Sequence, residues 1–535
     1  MTTDIAALPA FTLDAADGVE RSFPTGRHAL ICFVHEECET CGMSMPLIEQ
    51  AHRAFGDSVD VWAVGQEAEG NAVLIERHGL TLPMLDDSEL WTSFNYDLET
   101  VPAIYLASPD GAQVQHFVGF GRDDWRAIYD ELATISGTPS ADLPDVDWDS
   151  YPESRPGCGS RSVEPGIAER LAAEAEGSPL RARRIEIAPL DDPVEFMFDQ
   201  GFTDGLPVVE PSPERVLRML SGTKRDPQEL ITTVPPNMAP ATVEKIAINA
   251  VMAGCKPEYL PVVIAALEAV CTDEFNIHGV MATTMGATPV IVVNGPIRDR
   301  IGMNGGLGVL GQGNRANASI GRALRLVLRN VGGARPGGTE RSTQGSPAKF
   351  TLCFPEWEER SPWQPMHVER GFEASDSVVT VFALVGGPQV IVDQNSRSAQ
   401  AMVGSIGLAM GAVGHPKSPA GDTVLVLCPE HLDTIWREGW SKEQVRDRIQ
   451  AVTSRPVREM LRDDDSGAGL PRAMFGADGP SEEQLAQIVP KFRSTDNIHI
   501  VVAGSDAGKF SSVFAGWVSG PIGSVPVSRK IEEAR

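Results

Sequence analysis

No stretch of the 535 residues approaches the roughly 18 consecutive apolar side chains of a bilayer-spanning helix, so no membrane span is expected. The start, MTTDIAALPAFTLDAADG, lacks a basic leader and an apolar core, and is therefore not read as a secretory signal. Positive charge is also scarce. The 45 Lys and Arg residues face 73 Asp and Glu, leaving a formal net charge of -28. The summed field repels polyanions, which argues against nucleic-acid and anionic-membrane partners. Repeats of fixed period and low-complexity tracts are missing, which excludes solenoid and propeller architectures. Paired cysteines are rare. Of the eight, at 32, 38, 41, 158, 255, 271, 353 and 428, only 38 and 41 stand close together. That spacing points to catalysis or metal binding in a reducing cytoplasm rather than to a disulfide framework. No second Cys-x-x-Cys and no His pair stands at zinc-finger spacing, so neither a metal nor a separate cofactor is expected.

The chain is too long for one hydrophobic core, and its organisation changes along its length. Strand-like runs over 29–35, 59–65, 103–107 and 113–118 alternate with helical patterns over 43–55, 70–78 and 123–135. The order predicts a central sheet with helices on both faces. From 136 to 193 the composition turns to Pro, Ser, Asp and Gly, as in a linker or extended arm, with a short helix over 167–176. From 194 to 535, helical patterns cover 213–220, 243–252, 259–270, 320–330 and 442–451. Apolar runs at 290–293, 378–385, 424–427 and 498–503 suit strands buried on both faces. The expected fold is α/β throughout: a domain over 1–135, a long linker, and a larger α/β domain over 194–535, possible as two subdomains.

The stretch FVHEECETCGMSMPLIEQ places Cys38 where a strand gives way to a helix, with Cys41 one turn later. Thiol chemistry needs the thiolate, and a helix N-terminus favours it through the dipole and free N–H groups. A second thiol one turn along can attack a mixed disulfide and release product. Three readings stand: a redox pair, two packed thiols in an inactive scaffold, or half of a metal clip completed by His35. The spacing favours the first.

Strand, Cys38-Glu39-Thr40-Cys41, helix, with Pro46 five residues past the second cysteine, resembles the thioredoxin family. Thr100-Val101-Pro102 stands where that family places its cis-proline loop, which implies that Pro102 faces the reactive thiol. FTLDAADGVERSF and LTLPMLDDSELWTSFNY look more like the TlpA and peroxiredoxin branches, although His35 and Ile31 replace the residues that a peroxidatic site carries. Cys32 stands where thioredoxins often bury an Asp, and Glu37 where they carry a Trp. Glu36, Glu37 and Glu39 crowd the thiol with negative charge and are expected to oppose its ionisation.

In the larger part, Gly306, Gly308 and Gly311 fit G-x-G-x-x-G before a helix, a pattern that lets backbone N–H groups approach an anion. The preceding strand ends too early for a dinucleotide fingerprint. Asn314, Arg315 and Asn317 in the same segment need partners if buried, and the loop is read as lining a pocket for a small polar or anionic substrate. His278, beside Thr283 and Thr284, and His367, beside Glu369 and Arg370, are candidate acid–base groups. Arg322, Arg325 and Arg329 recur at helical spacing as a solvated or ion-paired face. The run from Gly504 to Ser511 is similar to a P-loop, but is one residue short and has Phe510 where Ser or Thr would bind magnesium, leaving Lys509 as an anion contact. Cys158, between glycines and near Arg155 and Arg161, is expected to be exposed with a lowered pKa, as an accessory thiol. The segments GFTDGLPVVEPSPERVLRML, APATVEKIAINAVMAGCKPEYLPVV and IVVNGPIR resemble a bacterial family of unassigned activity associated with UGSC-type selenoproteins.

These observations imply a thiol–disulfide oxidoreductase module supporting a small-molecule reaction in the larger domain, with a thiol reductant as partner and a homo-oligomer as one arrangement. The alternative is a lyase or hydrolase in the larger domain alone, with the first domain serving assembly.

Overall fold

The run Ala29–Val34 (ALICFV) is buried at all six positions, the signature of a strand covered on both faces. In the computed structural model, which describes residues 7–139, 144–164, 167–175, 177–188 and 190–532, it is the centre of a five-stranded sheet. The chain divides into two compact units, Met1–Ile185 and Glu186–Arg535.

The first unit opens with the antiparallel pair β1 (Phe11–Asp14) and β2 (Glu20–Phe23). Then come β3 (Ala29–Val34), α1 (Glu39–Phe55), β4 (Asp60–Gly65), α2 (Ala68–His78), β5 (Met84–Asp86) and α3 (Trp91–Asn95). The loop strand β6 (Thr100–Val101) leads into β7 (Ala103–Ala107), β8 (Gln113–Val118), β9 (Phe120–Gly121) and α4 (Arg122–Ser136). The sheet order is β5-β4-β3-β7-β8, with β3, β4 and β5 parallel and β7 and β8 antiparallel. Helices α1 and α4 pack together through the Tyr129 hydroxyl, which donates to the Leu47 carbonyl at 2.8 Å, and through the edge-on rings of Phe55 and Tyr129. The hairpin, β5 and α3 are short and weakly patterned, and are additions to the elements expected from the sequence.

The segment expected as a linker is partly built into this unit. Ser154–Arg155 (β10) pairs antiparallel with β9, and Cys158–Gly159 (β11) pairs antiparallel with β6. Helix α5 (Ile167–Ala175) follows and buries Leu171. Glu176, the expected end of that helix, lies outside the described residues, as do residues 1–6 of the start read above for a signal. Backbone pairing rather than an apolar pattern holds β10 and β11, so their composition looks like that of a tether.

The second unit is built on a seven-stranded sheet. Its path runs Cys353–Pro355, Ala287–Asn294, Val378–Val392, Phe510–Gly516, Thr423–Leu427, Ile498–Val502, with Val527–Lys530 pairing alongside Val378–Val392. Period-two alternation sorts the side chains into two cores. Leu425, Leu427, Ile498, Ile500 and Val513 pack with the helices Ala399–Met410, Pro429–Trp436 and Lys442–Thr453. Val424, Val426, Val501 and Phe514 join Val290, Val292, Phe354, Phe382 and Leu384 on the other face. The sheet curls, and the Trp357 N–H donates to the Val502 carbonyl at 2.7 Å, linking the two ends of the path. The expected helices are present as Pro213–Leu220, Val243–Ala253, Leu260–Val270, Arg315–Asn330 and Lys442–Thr453. No helix among the described residues is long and apolar enough to cross a membrane.

Candidate active site

Cys38 is the residue that caps the N-terminus of α1. Its backbone is extended, and its sulfur accepts a hydrogen bond from the Cys41 N–H at 3.3 Å. The same sulfur lies 3.6 Å from the Val101 carbonyl, in the loop whose Val101–Pro102 bond is cis. Cys38 is 1% exposed and Cys41 is fully buried. The strand-to-helix placement read from the sequence therefore brings Cys38, Cys41 and the loop at Pro102 to one place.

Cys158 joins them. It stands opposite Val101, whose carbonyl lies 3.6 Å from the Cys38 sulfur, in the antiparallel register of β6 and β11. A hydrogen bond from the Cys41 thiol is the largest influence on Cys38. With the donors from Cys158 and the Cys41 N–H, it outweighs burial and brings the thiol down to about 5. Cys41 moves the other way, well above its ordinary value, first through burial and then through donation to Cys38. Donating to Cys38 likewise pushes Cys158 up to about 11, against the pull of Arg155. Two sequence expectations are thereby corrected. Cys158 is half-buried with a raised, not lowered, pKa, because it serves as a donor to a thiolate. The glutamates around the motif do not hold Cys38 neutral, since each has an arginine: Glu36 pairs with Arg77, Glu39 with Arg155, and Glu37 with Arg161 at 3.6 Å.

The candidates in the second unit are placed differently. Asn314 caps the helix Arg315–Asn330, accepting from the Asn317 N–H at 3.0 Å and donating to the Gly302 carbonyl at 2.8 Å. Asn317 is buried and braces the glycine loop through the Asn304 carbonyl at 2.9 Å and its N–H at 3.1 Å. Arg315 donates to the Gly254 carbonyl at 2.8 Å. The partners these polar groups were expected to need are thus supplied by the protein. Gly306, Gly308 and Gly311 form successive turns, with φ +72° at Gly308. The Gly305 carbonyl accepts from Gly504, so the two glycine-rich loops adjoin. In the second of these loops, the Gly508 N–H donates to the Glu430 carboxylate at 3.0 Å and Lys509 reaches the Gln394 carbonyl at 3.3 Å. A carboxylate of the chain itself stands where an anion was expected. His278 is exposed on the short helix Ile277–Ala282, whereas His367 is 1% exposed, 3.9 Å from Glu358. Arg322 and Arg325 are ion-paired, with Asp204 at 2.8 Å and Glu340 at 3.4 Å.

Two groupings escaped the sequence reading. Asn294, at the end of its strand, and the fully buried Glu356 meet at 2.7 Å beside His367, whose ring nitrogens have no hydrogen-bond partner among the described residues. Cys428 caps the helix Pro429–Trp436, and the His431 ring accepts or donates at 2.8 Å from the Ser511 hydroxyl. Burial would raise the Cys428 thiol, but His431 and Ser511 bring it below its ordinary value. The signal for Cys428 was the one used for Cys38: a cysteine between a buried strand and a helix start.

The comparisons match only part of the chain. The thioredoxin domain of a thiol-disulfide oxidoreductase from Bacteroides vulgatus is 20% identical, covering 24% of this chain and 98% of its own, with a TM-score of 0.22. StoA from Bacillus subtilis is 23% identical over 21% of this chain and 90% of its own, with a TM-score of 0.20. A secreted Mycobacterium tuberculosis disulfide oxidoreductase homologous to Escherichia coli DsbE is 17% identical over 23% of this chain and 95% of its own, with a TM-score of 0.21. No family model matches the chain, and no curated protein does, so the resemblance suggested for the larger part has no counterpart there.

Proposed function

We propose that the first unit is a thiol–disulfide oxidoreductase, with Cys38 as the attacking thiolate and Cys41 as the resolving thiol. The observation that carries this reading is the N-cap geometry: the Cys38 sulfur accepts the Cys41 N–H at the start of α1, opposite the Val101 carbonyl. Cys38 attacks one sulfur of a substrate disulfide, and the other leaves as thiolate. Cys41 gives its proton to that leaving group and attacks the Cys38 sulfur, so that the Cys38–Cys41 disulfide forms as the second substrate sulfur departs as thiolate and takes a proton from water. Two electrons pass to the substrate, and a thiol reductant restores the pair by the reverse exchange. The spacing of the eight cysteines, with one close pair, supports a reducing cytoplasm as the setting. The test is turnover of a disulfide substrate by the full chain. Cys38→Ser should abolish it, and Cys41→Ser should still allow attack by Cys38 while losing the Cys38–Cys41 disulfide that closes the cycle. Unchanged turnover in the double variant would refute the assignment.

The second reading places a small-molecule reaction in the larger unit, served by electrons from the first in the same chain, where tethering raises effective concentration. What favours it is the buried group Asn294, Glu356 and His367, with polar atoms that lack partners among the described residues. Such atoms are costly unless a ligand or water completes them. A small polar or anionic molecule that binds the full chain, and whose binding is lost in His367→Ala, would support it.

A further inference from the structure

We propose that the segment 154–162 is a resident substrate of the exchange site, and that Cys158 forms a disulfide with Cys38 that alternates with the Cys38–Cys41 disulfide within one chain. The proposal rests on the reading of Cys38 as the attacking thiol.

Main-chain pairing is the first support. Cys158 and Gly159 lie antiparallel to Val101 and Thr100, and the Ser160 N–H donates to the Glu99 carbonyl at 2.9 Å. The Thr40 hydroxyl, inside the Cys38–Cys41 turn, donates to the Pro156 carbonyl at 2.8 Å. An extended peptide added to a strand edge is held in this way. The second support is the register, which sets Cys158 opposite Val101, the residue whose carbonyl lies 3.6 Å from the Cys38 sulfur. The third is complementary charge. Arg155 and Arg161, which flank Cys158, pair with Glu39, Glu37 and Glu67, around the reactive turn. Beyond it the segment is pinned by buried Ser160, which accepts from the Gln66 amide at 2.8 Å, while the Arg161 N–H donates to the Gln66 carbonyl oxygen at 3.1 Å. A connector that only passed the site would need none of these contacts to converge on Cys38.

The exchange is balanced within the chain. Starting from the Cys38–Cys41 disulfide, the Cys158 thiol loses its proton and attacks the Cys38 sulfur. The Cys38–Cys41 bond breaks, the Cys38–Cys158 bond forms, and Cys41 leaves as thiolate and takes up the proton. No electron enters or leaves, and attack by Cys41 runs the step backwards. An external peptide must displace the segment to reach Cys38.

The test uses the full chain, reduced and then exposed to oxidised glutathione, with free thiols alkylated before digestion and disulfide mapping by mass spectrometry. In Cys41→Ser, an intrachain Cys38–Cys158 linkage is expected, with a loss of two free thiols per chain and no retained glutathione. The Cys41→Ser, Cys158→Ser double variant should instead hold glutathione on Cys38. Cys41→Ser with glutathione on Cys38 and Cys158 still alkylated would overturn the proposal. Formation of Cys38–Cys41 in the unsubstituted chain would then leave the exchange reading standing alone. A Cys38 inert to oxidant in every variant would remove both.

Discussion

Gly157 lies so close to Val101 that a Cβ added to it would fall 2.3 Å from the Val101 carbonyl oxygen and 2.5 Å from the Thr100 methyl group. The carbonyl is backbone and has nowhere to retreat, because the same residue pairs with Cys158. Gly157→Ala is therefore expected to loosen the segment over Cys38. Overpacking of this kind costs about 1–3 kcal/mol, enough to shift a docked–undocked equilibrium roughly 5- to 150-fold. The alkylation rate of Cys158 in the reduced protein should rise within that range, along with protease cleavage in 154–162. Rates equal to those of the unsubstituted chain would show that the approach is not tight.

The acidity of Cys38 gives a second prediction. Its folded pKa is depressed to about 5 from an ordinary thiol value of 9.0, so the reduced folded state gains stability that is fully present above the ordinary value. That gain is lost as pH falls through about 5. The thiolate absorbance of the reduced chain, less that of Cys38→Ser, should be present at neutral pH and disappear in acid near the folded value. A titration near the ordinary thiol value would contradict the donors assigned to this sulfur.

Much of this site was legible because its parts are local. Cys38 and Cys41 are three residues apart, the strand before them is continuously apolar, and Val101-Pro102 precedes a clear strand. Cys158 was not legible as a neighbour of Cys38, since its pairing with Val101 spans a long loop and its segment is Pro- and Gly-rich. The arginines that neutralise Glu36, Glu37 and Glu39 come from 77, 155 and 161, so local charge counting gave the wrong sign. In the larger unit, strands and helices followed from their apolar periods. The polar residues of the glycine loop could not be sorted from sequence into ligand contacts and loop braces, because both uses call for the same residue types.

Glu49, within α1, is nearly buried and carries several bonds. It accepts from the Thr81 N–H at 2.8 Å and the Leu82 N–H at 3.1 Å, and pairs with Arg53 at 2.7 Å. Burial would raise its pKa, but the donors from Thr81, Arg53 and Leu82 leave it lowered. A depressed carboxylate contributes stability that is present above its unfolded value and is lost as pH falls through the folded one. Glu49→Gln should accordingly lower the melting temperature of the first unit at neutral pH and do so less in acid. The check is thermal unfolding of both chains at several pH values, and an equal difference at every pH would contradict the role given to the charge.

Glu356 presents the opposite sign. It is fully buried, with one carboxylate oxygen accepting from the Asn294 amide and from the Met366 N–H, each at 2.7 Å, and with the Lys442 ammonium 3.9 Å from the other. Burial is the largest influence and raises its pKa, with Lys442 and the two donors opposing. A carboxyl whose folded pKa is raised contributes stability that is present below its unfolded value and is lost as pH rises through the folded one. Glu356→Gln keeps an oxygen for both donors and removes the titration, so the stability of the second unit should fall less with rising pH than in the unsubstituted chain. Glu356→Ala leaves the Met366 N–H without its acceptor and should cost about 1–3 kcal/mol at any pH. Denaturant unfolding of the three chains at acidic and neutral pH separates the two effects. If Gln and Ala were equally destabilising and the pH slope were unchanged, Glu356 would be acting through its shape alone, and the case for a ligand-binding group around Asn294 and His367 would weaken with it.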